Sequence, residues 1–199
     1  MEVILLRFSL DPELLCTQAM LGCQSTKAAF EIEPDAERIN RMMTMAVTTD
    51  DASVLEHASF TFSVKGISRA CSHQLVRHRI ASYSQQSQRH VNPTKVPNWY
   101  CTAETIEKSG HGPEFQQLMN LCAKEYQSLI DSGVPEEDAR FVLPNACKTN
   151  IVITMNCREL RHFFKLRCAK KAQWEIREMA NRMLDLCIQK APTIFGGLR

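Results

Sequence analysis

At 199 residues the chain suits one domain, residues 1–199, with room to bury roughly 70% of the surface its unfolded form exposes. Hydrophobic residues make up 44% and charged residues 23%, ordinary values for a soluble globular protein, and 24 Lys and Arg against 22 Asp and Glu leave a net charge of +2. Bulk charge therefore points to no polyanionic partner, and any anion site has to come from local clustering.

Nine cysteines, at 16, 23, 71, 101, 122, 147, 157, 168 and 187, are scattered and never spaced C-x-x-C. That pattern argues against a metal ribbon and against a disulfide framework, so no metal is expected. The opening "MEVILLRFSL" carries an acid at position 2 and a short apolar run broken by Arg7. It fits neither a signal peptide nor a membrane span, which needs ~20 apolar residues. A cytoplasmic protein with reduced thiols and no membrane partner is the expectation.

In chain order, Val3 to Leu6 reads as a strand, and Asp11-Pro12 starts a helix through Leu14, Leu15 and Ala19. "HASFTFSVKG" alternates, with Phe60, Phe62 and Val64 facing one way and Ser59, Thr61 and Ser63 the other, a half-buried strand ended by Gly66. From Ser68 the spacing turns helical, which puts Gln74, Arg77 and His78 on one face and leads into a polar loop, "SYSQQSQR". Residues 91–113 hold prolines and glycines with little periodicity, a surface loop. Helical spacing resumes from Phe115 to Ile130 and stops at Gly133; "VPEEDARFVLP" restarts a helix at Pro135 that Pro144 ends, with Arg140 among apolar neighbours. "TNIVITMN" reads as a buried strand, followed by helices from about Arg158 to Arg167 and Ala172 to Ala191. Strands and helices mix without regular β-α alternation, so the class is α+β, helices with an antiparallel-type sheet.

Two segments carry chemistry. In "NCRELRHFFKLR" the 100° step gathers Arg158, Arg161, His162 and Lys165 on one side and Leu160, Phe163 and Phe164 on the other, with Arg167 projecting at the centre of the apolar side. A guanidinium there needs an anion or several acceptors; a ligand, a salt bridge to Glu175 and a frayed last turn in solvent each answer that need. In "RHRIASYSQQSQRH" the cations are flanked by apolar residues, so the neighbours of Arg77 and Arg79 are expected to be buried, which argues against a solvated face and leaves a nucleic-acid patch, or a loop capped by Arg89, as the other readings. Ser84 and Ser87 lack a G-x-S-x-G elbow or S-x-x-K and suit hydroxyl donors to a phosphate better than a nucleophile. No Walker loop or G-x-G-x-x-G occurs, so a phosphate would be held by Arg and Ser side chains.

"RHRIASYSQQSQR", preceded by "SVLEHASFTF" and followed by "NCRELRHFFKLRCAKKAQWEIR", resembles the flavin-dependent thymidylate synthases, whose signature is R-H-R followed after seven residues by Ser. The resemblance implies reductive methylation of dUMP with methylenetetrahydrofolate and NADPH, FAD as carrier, and a homotetramer whose sites draw on several subunits, with no nucleic-acid partner. It assigns Ser53, Arg77, His78, Arg79, Gln85, Asn156, Arg158 and His162 to FAD. To dUMP it assigns Gln74, Leu75, Val76, Arg77, Gln85, Gln86, Ser87, Gln88, Arg89, Arg140 and Arg167, with Arg167 the catalytic cation that stabilises charge developing at uracil N3 and O2. Departures are Asp50-Asp51 where the family commonly has Gly-His, and His90 where Tyr is common. A nucleotide- and flavin-binding paralogue without catalysis is the second reading, and an RNA-binding module that uses the "RHR" face is the third.

Overall fold

The computed structural model describes residues 1–49 and 52–198; Asp50 and Asp51, the acids that depart from the family pattern, lie outside the described residues. Strand β1 (Glu2–Phe8) leads to helix α1 (Pro12–Gly22), which has Pro12 in its first turn, and to α2 (Ala36–Thr48), capped where the Asp35 side chain accepts from the Arg38 N–H. Strand β2 (Ser59–Ser68), α3 (Arg69–Leu75) and β3 (Ala81–Gln85) follow, then α4 (Glu104–Lys108), α5 (Gly112–Asp131) and α6 (Glu136–Ala139). Strand β4 (Lys148–Asn156), α7 (Cys157–Arg167), α8 (Trp174–Ile188) and α9 (Pro192–Phe195) complete the order. Among the described residues the strands form one sheet in the order β1-β2-β4-β3. Its β2–β4 pairing is antiparallel: the hydroxyls of Thr61 and Thr154 meet at 3.0 Å, and further along β2 the Gly66 N–H reaches the side chain of Asn150, which lies earlier on β4, at 3.1 Å.

The chain divides into two compact units, one of Met1–Val64, Val76–Ser84 and Val152–Arg199, the other of Lys65–Leu75 and Gln85–Ile151. The first has an aromatic and aliphatic core. Alternation along β2 buries Phe60, Phe62 and Val64 completely, and Phe195 of α9 meets Phe60 edge-on at 5.7 Å and Phe164 of α7 at 5.9 Å. At about 1.5–3 kcal/mol for each such side chain removed from water, these rings outweigh any single hydrogen bond in the unit. The second unit is centred on Trp99, Met119 and Cys147, with Tyr100, Phe115 and Leu143 packed around them.

Several expectations are corrected. Gly66 does not end β2: at φ 77°, in the left-handed region only glycine enters cheaply, it turns its N–H to Asn150 and the strand runs on to Ser68. The helix after Ser68 stops at Leu75, short of Arg77 and His78, so these two do not share its face with Gln74. The "SYSQ" part of the polar loop is strand β3, because edge pairing to β4 satisfies its backbone whatever its composition. Val76 and Ile80, expected to be buried beside the arginines, are exposed, and burial falls on Leu75 and His78. Residues 91–113 are not all surface loop, since Trp99 is only 8% exposed and Tyr100 bridges to Cys147. The helix at Pro135 is one turn, α6, continued as a 3-10 turn over Arg140–Val142 in which Phe141 faces solvent.

Candidate active site

Within the first unit, helix α7 builds most of the candidate site. Asn156 caps it, its side-chain oxygen accepting from the Glu159 N–H at 2.9 Å, and the acid in the first turn suits the helix dipole. The two sides read from the sequence hold: Leu160, Phe163 and Phe164 are buried, while Arg158, His162 and Lys165 are exposed. Arg158, Arg161, His162 and Lys165 line a cavity of about 370 Å³, closed by Ala46, Val47 and Thr49 of the α2 end and by Ala52 and Leu55. Four of its lining side chains are thus cations or a potential cation, an environment for an anionic ligand. Arg158 also pairs with Glu56 at 2.5 Å, and Arg161 donates to the carbonyls of Val47, at 3.2 Å, and of Ile194. Ser53 is exposed at the start of the short turn that contains Leu55.

On the other side of α7, Arg167 does not fray into solvent. Its Nε donates to His78 Nε2 at 3.1 Å, and His78 Nδ1 lies 3.0 Å from Glu159 Oε1. His78 is 5% exposed and Glu159 8%. The Phe163 ring meets the imidazole edge-on at 5.0 Å and His162 stands 5.8 Å away. From β3, the Tyr83 hydroxyl donates to the His78 carbonyl at 2.8 Å. Since an arginine Nε carries a proton at all working pH, His78 Nε2 must accept, so the ring proton sits on Nδ1 and points to the carboxylate. Burial, above all, holds the His78 pKa below its ordinary value; the Glu159 hydrogen bond opposes this, and the Arg167 charge adds to it. Arg77 and Arg79, on either side, are exposed.

The second unit gathers most of the residues assigned to dUMP. The Gln85 amide donates to Ser72 Oγ at 2.9 Å and to Thr149 Oγ1 at 3.3 Å, Gln88 reaches Cys147 Sγ at 3.5 Å, and the Ser87 hydroxyl accepts from the Arg89 N–H at 3.1 Å. The Gln86 N–H donates to the Asn150 carbonyl at 2.8 Å while its own carbonyl accepts from Arg69 at 2.9 Å. Arg89 and Arg140 converge on one residue: Arg89 pairs with the Glu137 carboxylate at 2.9 Å, and Arg140 Nε donates to the Glu137 carbonyl at 3.0 Å. Gln74 is half-buried and Leu75 buried in this unit, and Val76 is exposed in the first. Glu159, Glu137 and Arg69 were missed by sequence reasoning. In the sequence Glu159 is one more acid in the first turn of a helix and Glu137 one of three adjacent acids at the start of another, roles the helix dipole explains, and Arg69 is a single cation in a helical stretch, so none of the three carries a distinguishing signal.

Residues 4–193 match the family described as "Thymidylate synthase complementing protein". The chain is 48% identical to a flavin-dependent thymidylate synthase of Geobacter sulfurreducens over 98% of its length and 85% of that protein's. It is 44% identical to one of Sulfolobus acidocaldarius, over 98% and 75%. Its fold is similar to that of the flavin-dependent thymidylate synthase ThyX of Helicobacter pylori complexed with FAD and dUMP, with a TM-score of 0.77, 25% identity and 98% of each chain covered.

Proposed function

The chain belongs to the family of flavin-dependent thymidylate synthases, and on that premise we propose that it methylates dUMP to dTMP, with FAD as cofactor, methylenetetrahydrofolate as one-carbon donor and NADPH as reductant. We read residues 1–199 as one functional domain that works in the cytoplasm as a homotetramer, with each complete site drawn from several subunits. The observation that carries the reading is Arg167, a permanent cation on the apolar side of α7 whose guanidinium is anchored through Nε to a buried imidazole.

The residues present fit the cofactor. The cavity bounded by Arg158, Arg161, His162 and Lys165 suits the pyrophosphate of a dinucleotide, and Asn156 and Ser53 flank the elements that form it. Bound there, FAD supplies hydride and one-carbon transfer that no side chain can perform. The chain's own residues bind and polarise. Arg89, Ser87 and Arg140 hold the nucleotide phosphate, with Gln74, Leu75, Val76 and the 85–88 backbone shaping the nucleotide's place; Arg77 and Arg79 add exposed positive charge. Arg167 meets uracil where negative charge develops at N3 and O2, which makes C5 nucleophilic. Leu160, Phe163 and Phe164, buried behind it, put an apolar wall on one side of the half-buried Arg167 and so reduce the water that screens its charge.

The test is direct. Purified protein should absorb at about 450 nm from bound flavin and form dTMP from dUMP only when methylenetetrahydrofolate and NADPH are both present. Flavin binding without dTMP would favour the nucleotide-binding paralogue, and colourless, inactive protein after flavin is added back would refute the reading.

A further inference from the structure

Arg167 reaches the reaction with its orientation set by a partner that can itself change state. His78 offers Nε2 as an acceptor only while the ring is neutral and only in the tautomer with its proton on Nδ1. Nothing in the imidazole alone selects that tautomer. Glu159 does: its Oε1 lies 3.0 Å from Nδ1, and a carboxylate accepts but cannot donate. We infer that Glu159 is a positioning residue for the methylation of dUMP, acting through His78 to aim the Arg167 guanidinium. The inference rests on the reading of Arg167 as the cation that polarises uracil.

The geometry supports it at each link. Asn156 fixes the Glu159 backbone at the first turn of α7, Phe163 packs edge-on against the imidazole, and Tyr83 holds the His78 carbonyl from β3, so the carboxylate, the ring and the backbone that carries the ring are each held. Arg167 lies two turns along the same helix from Glu159, at i+8, so a single rigid element carries both ends of the chain of bonds. Among the described residues the charged and titratable groups that face His78 are Glu159, Arg167 and His162 on α7 and Tyr83 on β3. A proton added to Nε2 would leave Arg167 facing another cation in place of an acceptor. Because burial lowers the His78 pKa, that proton arrives only as pH falls below the ordinary histidine range, so the arrangement is intact at neutral pH and lost on its acid side.

Two measurements test this. Nitrogen NMR of His78 in the full-length protein, assigned by the signal missing from His78→Gln, should show a neutral Nδ1–H ring at neutral pH in wild type. In Glu159→Gln the tautomers should mix and the midpoint move to lower pH, because the carboxylate that favours the protonated ring has gone. Tritium release from C5-labelled dUMP should fall at least ~10-fold in Glu159→Gln, the worth of about one pKa unit of differential interaction, with flavin still bound and the acid limb moved the same way. His78→Gln, whose Oε1 can accept from Arg167 without titrating, should lose that limb, and adding Glu159→Gln to it should cost little more. An Nε2–H or doubly protonated ring in wild type would overturn the inference, as would a Glu159→Gln protein whose rate falls with its limb unmoved, the mark of a structural role alone. Failure of wild type to release tritium, with the NMR as expected, would instead refute the reading of Arg167. Should Glu159→Gln not fold, the limb of His78→Gln alone decides: one that persists unchanged sinks the proposal.

Discussion

Replacing Glu137 by Gln should tighten dUMP binding, an unusual direction for a substitution at the proposed nucleotide site. Arg89 spends its charge on the Glu137 carboxylate at 2.9 Å, in a pair whose side chains are 57% and 51% exposed. Exposed pairs of this kind are worth ~0.2–1 kcal/mol after solvent screening. A phosphate that recruits Arg89 must forgo that amount, and the neutral amide should return it as about a 1.4- to 5-fold lower Kd. Arg140 should hold its place, since it bonds the Glu137 main-chain carbonyl rather than the carboxylate. Calorimetry with dUMP and with uridine checks this: the gain belongs to the nucleotide alone, shrinks as salt is raised, and vanishes in a double variant with Arg89→Ala. Arg89→Ala by itself should weaken dUMP by about 1.5–3 kcal/mol, the scale of a charge-assisted hydrogen bond. Equal gains for dUMP and uridine, or a loss for both, would show that Glu137 supports the loop and does not compete with the phosphate.

Arg167→Ala should abolish tritium release from C5-labelled dUMP while leaving flavin bound, and Arg167→Lys should restore little, because one ammonium cannot both donate to His78 Nε2 and present a fork to uracil; wild-type release by either protein would refute the assignment. Asn156→Ala removes the cap on α7 and should cost about 0.5–2 kcal/mol, read as a lower melting temperature. Thiol titration of the native protein should leave Cys16, Cys157 and Cys187 silent: burial pushes the Cys16 pKa up to about 11 and the other two well above the ordinary thiol value, so rapid labelling at neutral pH would contradict their environment.

What the sequence made legible follows the two backbone periods. Alternation alone separated Phe60, Phe62 and Val64 from their serine and threonine neighbours, and a 100° step sorted the cations of α7 from its phenylalanines. Arg167 stood out because a charge on an apolar face demands a partner. The partner itself could not be read: His78 lies just past the turn that follows a helix that stops early, and no local pattern tells where such a segment will aim a ring. Strand β3 escaped notice because serine and glutamine at a sheet edge carry no β signal, their pairing being decided by β4. Glu159 and Glu137 were concealed by a different ambiguity. Acids near helix starts are common for reasons of dipole and capping, so a second duty for the same carboxylate leaves no trace in the order of residues.

Arg161 ties the wall of the cation-lined cavity to the end of the fold, since one guanidinium reaches both Val47 and Ile194 while also facing the cavity. Two equilibria then share a common participant: occupation of the cavity, and docking of the α9 turn whose Ile194 and Phe195 close the aromatic core. Linkage makes their coupling reciprocal, so an anion that draws on Arg161 changes the opening free energy of α9 by the same amount that opening α9 changes the anion's affinity. Amide exchange at Ile194 and Phe195 is therefore a gauge of cavity occupancy, readable without following any reaction.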